Sequence, residues 1–191
     1  MQLRQLVNPH ISTEERTLIL KWLGESHQEF FEAIDRVSDA QWEWKPAPER
    51  WSLGQTAEHI VLAEALLFGF VRKAMAAPPN LVWEEQTKGK TELLIQVIPS
   101  RLAKGVAPDP IVPREMLTRA QVKKRFEKQR IDIRDFARES QMAWKEHTAV
   151  HPFPAFGTLN AYQWLLYVPL HTMRHNQQIA EVKMSSGYPS W

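Results

Sequence analysis

A bundle of four α-helices, with a long crossover between the second and third, is the fold class that this sequence predicts. Three observations carry it. Four long segments repeat apolar side chains at the spacing of a helix face. No stretch shows the alternation of a strand, and there is no internal repeat or low-complexity tract. Residues 77 to 112, between the second and third segments, are far longer than a turn. Amphipathic helices bury their stripes against one another, and four of them make a bundle.

The first helix is predicted over residues 13 to 37, with Leu18, Trp22, Phe30, Ile34 and Val37 at helical intervals. A connection rich in Trp and Pro follows, ending in "QWEWKPAPERW". The second helix opens at Ser52, because Gln55 three residues later completes a capping-box pattern. It reaches about Ala76, where Pro78 and Pro79 stop it. Inside the crossover, "TELLIQVIPSRLA" reads as a short helix. The third helix is expected to start beside Pro113, a favoured first-turn residue, and to end near Lys145. Its stripe is Val122, Phe126, Gln129, Ile133, Phe136 and Ser140. The segment "HPFPAFG" is too rich in proline to be helical. The fourth helix covers residues 158 to 184, with Gly187 and Pro189 beyond its end.

A chain of 191 residues is long enough to bury one substantial core, and residues 1–191 are read as a single domain. A net charge of +2 gives no reason to expect nucleic acid or an anionic membrane as partner. There is no cysteine, which excludes disulfides, zinc–thiolate sites and a cysteine nucleophile. No apolar run approaches membrane-spanning length, and the first residues lack a signal-peptide core. A cytoplasmic location is the expectation.

The chemistry concentrates on the fourth helix. Its inward stripe runs through Ala161, Trp164, Val168, His171, His175, Gln178 and Val182. His171 and His175 are one turn apart on one face, in the middle of a core seam. A buried neutral imidazole needs a hydrogen bond or a metal. His59 in "GQTAEHIVLAEALL" supplies a third imidazole from the second helix, with Leu62 and Leu66 continuing its stripe. Three imidazoles from two helices suit a catalytic zinc-type site, three protein ligands with an open position. The bland alternative is a set of core histidines satisfied by hydrogen bonds. His147 and His151 repeat the spacing, but Pro152 takes them out of helical register, and they read as loop residues.

The stretches "ERWSLGQTAEHIVLAEALL" and "HPFPAFGTLNAYQWLLYVPLHTMRHNQQIAEV" resemble the DinB-like superfamily, which includes bacillithiol-transferase-like proteins and, more distantly, mycothiol-dependent maleylpyruvate isomerases. The resemblance covers nearly the whole chain. It implies a four-helix bundle of unusual connectivity holding a divalent metal, zinc or nickel, on His59, His171 and His175. Pro169 departs from a regular helix just before two of these residues and is expected to kink it.

Around the histidines, Gln55 and Gln178 are candidates for orienting ligand rings, set against the reading of ordinary polar contacts at the bundle end. Glu58 and Glu64 are candidate general bases, set against the simpler reading of solvated or paired charges on a helix face. "RAQVKKRFEKQRIDIR" reads as the outer face of the third helix. Trp42, Trp44, Trp51 and Trp164 either line a pocket or anchor the core and loops.

The leading expectation is a metal-dependent enzyme acting on a small molecule. It is either a thiol transferase using a low-molecular-weight thiol, the route the resemblance favours, or a hydrolase. A homodimer is allowed. The alternative is a non-catalytic metal-binding or stress-response bundle.

Overall fold

The computed structural model describes residues 8–100 and 106–190. Each long helix begins where a side chain answers the unpaired N–H groups of the first turn. In α1 (Thr13–Ile34) the Ser12 hydroxyl accepts from the Glu15 N–H, and the Glu15 carboxylate accepts from the Ser12 N–H. This helix ends before the predicted residue 37, because Asp35 is extended and Arg36 has a φ of 49°. Val37 is nevertheless buried. The Trp- and Pro-rich connection holds a short helix, α2 (Asp39–Glu43). Then α3 (Leu53–Ala76) starts on the predicted Ser52–Gln55 capping box and ends where expected.

The crossover contains α4 (Trp83–Thr87), α5 (Lys90–Val97) and a 3-10 turn at Asp109–Ile111. The short helix expected in the crossover is thus α5, and residues 101 to 103 of that stretch lie outside the described residues. The third long helix, α6 (Arg119–Glu139), starts later than Pro113 predicts. Thr118 and Gln121 form a reciprocal capping box, two hydrogen bonds that a proline cannot supply. It also stops before Lys145, because Ser140 is extended and its hydroxyl accepts from the Trp144 indole N–H at 2.8 Å.

Two short strands, which the sequence does not announce, follow: β1 (Thr148–Val150) and β2 (Thr158–Asn160). They pair antiparallel, with Ala149 opposite Leu159, and carry the "HPFPAFG" loop at their tip. Three-residue strands are too short to show an alternating pattern. The strand β2 takes the residues expected to begin the fourth helix. That helix, α7 (Ala161–Lys183), is capped by the Asn160 side chain and runs continuously past Pro169.

In the bundle α3 packs most extensively against α7, α1 packs on α7 and α6, and α6 closes the square against α3. The apolar core falls into two clusters, one around Leu23, Leu67, Ile133 and Trp164, the other around Phe30, Ile60, Phe126 and Ile179. On every long helix a polar residue stands between the two: Ser26 on α1, Glu64 on α3, Arg130 on α6 and Thr172 on α7, all buried. Arg130 joins them. Its guanidinium donates to Glu64 Oε1 (2.7 Å from Nε), to the Leu23 carbonyl, to Ser26 Oγ and to Thr172 Oγ1. Among the described residues no helix is long and apolar enough to cross a membrane.

Candidate metal centre

His59 is contributed by α3, and His171 and His175 by successive turns of α7, the most closely packed pair of helices. Their candidate ligand nitrogens all lie within 4.8 Å of one another. Ring centroids are 5.2 Å apart for His59 and His171, 4.5 Å for His59 and His175, and 4.4 Å for His171 and His175. Three imidazole nitrogens on one tetrahedral ion stand roughly 3.4 Å apart at ordinary bond lengths. Small ring movements therefore close the set. Among the described residues this is the one such group, and it holds three side chains with no fourth.

The hydrogen bonds prepare the lone pairs. His59 Nδ1 lies 2.7 Å from the Ile111 carbonyl oxygen, which only accepts, so Nδ1 carries the proton and Nε2 is left free. His175 Nδ1 lies 2.9 Å from Gln178 Oε1, which only accepts, so here too the proton is on Nδ1. His171, half-buried as a residue, keeps its Nδ1 buried with no hydrogen-bond partner among the described residues. A buried ring nitrogen left alone in this way calls for a partner outside the polypeptide. A divalent ion fits the donor set.

Burial also keeps two of the rings, His59 and His171, neutral. Desolvation pulls His59 down to about 4, against the weaker upward effect of its bond to Ile111. His171 is held well below 6.5, first by burial and then by the neighbouring His175 and His59. Neutral imidazole is the form that ligates.

The three rings stand in the wall of a cavity of about 710 Å³. Trp51, Phe70, Trp164 and Tyr167 give it an aromatic lining, and Ile98 and Ile111 of the crossover close one side. Trp51 leans on His59 with centroids 4.7 Å apart. Pockets of this size and character take small organic molecules.

The other predicted residues divide. Gln178 holds His175, as expected, whereas Gln55 is consumed by the cap of α3. Trp51 and Trp164 line the cavity. Trp42 instead covers Gly54, where any Cβ would meet its ring at 2.5 Å, and donates to the Leu117 carbonyl, while Trp44 packs edge-on against Tyr188. Glu58 and Glu64, read as solvated or paired charges, are not solvated, because both are buried, but Glu64 is indeed paired. Glu58 accepts from the backbone N–H groups of Arg114, Glu115 and Leu117, which secures the return of the crossover to α6. Glu64 pairs with Arg130, so neither carboxylate faces the histidines as a free base. Lys123, Arg125 and Lys128 do form the outer face of α6, but Arg130 in the same stretch is buried. A signal for it existed: Val122, Phe126, Arg130, Ile133 and Ala137 fall on one helical stripe.

His147 and His151 sit at either end of β1 and lie outside the cluster. His147 Nδ1 lies 2.8 Å from the Ala77 carbonyl at the end of α3. His151, read from sequence only as a loop residue, lines the cavity.

A family model described as the DinB superfamily matches residues 23–179. The chain is 22% identical over 161 residues to the uncharacterized protein YuaE of Bacillus subtilis, covering 84% of this chain and 94% of that one. A solved structure of YfiT from Bacillus subtilis superposes with a TM-score of 0.54 at 14% identity, over 99% of this chain and 95% of YfiT. YfiT is described as a probable metal-dependent hydrolase with an unusual four-helix bundle topology, and at that identity the likeness concerns the fold. By the extent of the family match, the chain belongs to the DinB superfamily.

Proposed function

We propose that this member of the DinB superfamily is a metal-dependent enzyme of the hydrolase type, acting on a small organic molecule bound in the cavity between α3, α7 and the crossover. The observation that carries the reading is the convergence of three imidazoles, from two helices, in the wall of that cavity with no fourth protein ligand among the described residues. His59, His171 and His175 would hold the ion, zinc or nickel. Once bound, such an ion supplies Lewis acidity and lowers the pKa of water in contact with it to about 7.

The chain's own part is positioning. Ile111 and Gln178 fix the tautomers of His59 and His175, so no proton has to move before they ligate. Apolar and aromatic walls displace water from around the substrate, which strengthens every polar contact at its reacting end. The description of YfiT as a probable metal-dependent hydrolase supports the same reaction class. A cavity of about 710 Å³ also has room for a low-molecular-weight thiol beside an electrophile, the route the family resemblance favours.

The test is a screen of zinc- and nickel-loaded protein against small esters, amides and lactones without thiol, and against a chlorinated aromatic acceptor with several small thiols. Turnover that is abolished by chelation and restored by the ion supports the enzyme. Turnover that appears only with a thiol moves the reaction class to transfer. A stoichiometric ion with no turnover in either arm favours the non-catalytic bundle.

A further inference from the structure

His151 is a polar group in the cavity wall that takes no part in the three-histidine cluster. Its ring is fixed on all sides. It stacks on Trp164 (5.0 Å, 9° between planes) and on Tyr167 (5.7 Å, 7°), and Phe156 leans against it at 4.7 Å. Its backbone N–H donates to the Gly157 carbonyl at 2.7 Å, closing the hairpin tip. Lys90 Nζ then pins that tip by donating to the carbonyls of Phe156 and Thr158, each at 2.8 Å. The backbone N–H of Phe153 donates to His151 Nδ1 at 2.9 Å. A nitrogen that accepts carries no proton, so in the neutral ring the proton is on Nε2. Burial holds the ring neutral, its pKa pulled down to about 4. The residue is 6% exposed, and among the described residues no protein group accepts from Nε2. A donor that meets no protein acceptor and stands in the wall of a cavity is placed to serve a ligand.

We propose that His151 is the substrate-positioning donor of this cavity, its Nε2–H giving a hydrogen bond to an uncharged oxygen, such as a carbonyl, on an otherwise apolar substrate. Tyr167 neighbours both His151 (5.7 Å) and His171 (6.3 Å), so the accepting oxygen is set about one ring away from the end that reacts. The inference rests on the reading of this cavity as the substrate site.

A matched pair of probes tests it: 4-phenylbutan-2-one and butylbenzene, which differ by a carbonyl in place of a methylene. Dissociation constants are measured by calorimetry on zinc-loaded and zinc-free protein. The wild type is expected to bind the ketone about 5- to 10-fold tighter than the hydrocarbon in both forms, the worth of one hydrogen bond. His151→Phe keeps the stack and loses the donor, so the preference disappears while the hydrocarbon binds as before. His151→Gln restores a donor and retains the preference. A preference that survives His151→Phe, or that requires zinc, places the carbonyl elsewhere and overturns the proposal. On the wild type alone, nitrogen-15 spectra of histidine should show His151 as the Nε2–H tautomer, with a shift on adding ketone but not hydrocarbon. An Nδ1–H tautomer, or no shift, also overturns it. Equal binding of the two probes defeats His151 alone. Binding of neither defeats the cavity reading with it.

Discussion

The ring of His59 is tied to the crossover: its Nδ1 lies 2.7 Å from the carbonyl oxygen of Ile111, at the end of the 3-10 turn. The least regular part of the chain thus sets the protonation state of the imidazole that α3 brings to the cluster. Gln178 does the same for His175 from within α7. Partners of this kind raise ligand basicity and fix ring orientation.

Gln178→Leu removes the acceptor at His175 Nδ1 and leaves the helix intact. Metal affinity is expected to fall by roughly 10- to 100-fold, with the helical circular-dichroism spectrum unchanged. A chelator competition titration measures it, and an unaltered affinity would show that the contact with His175 does not tune the site.

The buried pair of Glu64 and Arg130 gives the second prediction. Glu64→Leu strands a guanidinium that is 1% exposed, and the cost is expected to be about 3–5 kcal/mol in urea unfolding. Adding Arg130→Met should recover most of it, because Ser26 and Thr172 keep acceptors in the Trp22 and Val168 carbonyls. Additive losses in the double variant would argue that the pair is not an energetic unit.

The pH dependence of the metal-free protein follows from His59. Its folded pKa of about 4 lies below the unfolded value near 6.5, so the unfolded chain binds the extra proton between them. The stability this contributes is complete above pH 6.5 and is lost as pH falls towards 4, about 3 kcal/mol from His59 alone. His151 acts in the same direction. Urea unfolding from pH 4 to 7 should therefore show a shallower slope for His59→Gln than for wild type. Parallel slopes would contradict the buried-neutral account of this ring.

How much of this the sequence disclosed depended on range. Ser52 with Gln55, and the stripe through His171 and His175, are local signals, and local signals brought α3 and α7 to the right residues with the three histidines together. Pro113 misled, because a first-turn preference is weaker than the Thr118–Gln121 hydrogen bonds that start α6. Arg130 and Glu64 lie 66 residues apart, so although the apolar stripe of α6 marks Arg130 as inward-facing, nothing local names its partner. His151 was hidden for the same reason. Its role depends on Trp164, Tyr167 and Lys90 closing around a loop whose composition announces only a turn.

His59, His171 and His175 are expected to hold one divalent ion and His147 to take no part, although His147 and His151 repeat the spacing of His171 and His175. Elemental analysis of protein purified without a histidine tag, incubated with zinc or nickel and then desalted, tests it most directly. About one ion per chain is expected for the wild type and for His147→Ala, and under a tenth of that for His59→Ala, since losing one of three ligands weakens binding far beyond a change around the ligands. A wild type that retains no ion, or a His59→Ala variant that keeps its ion while His147→Ala loses it, would rule out ligation by these three side chains.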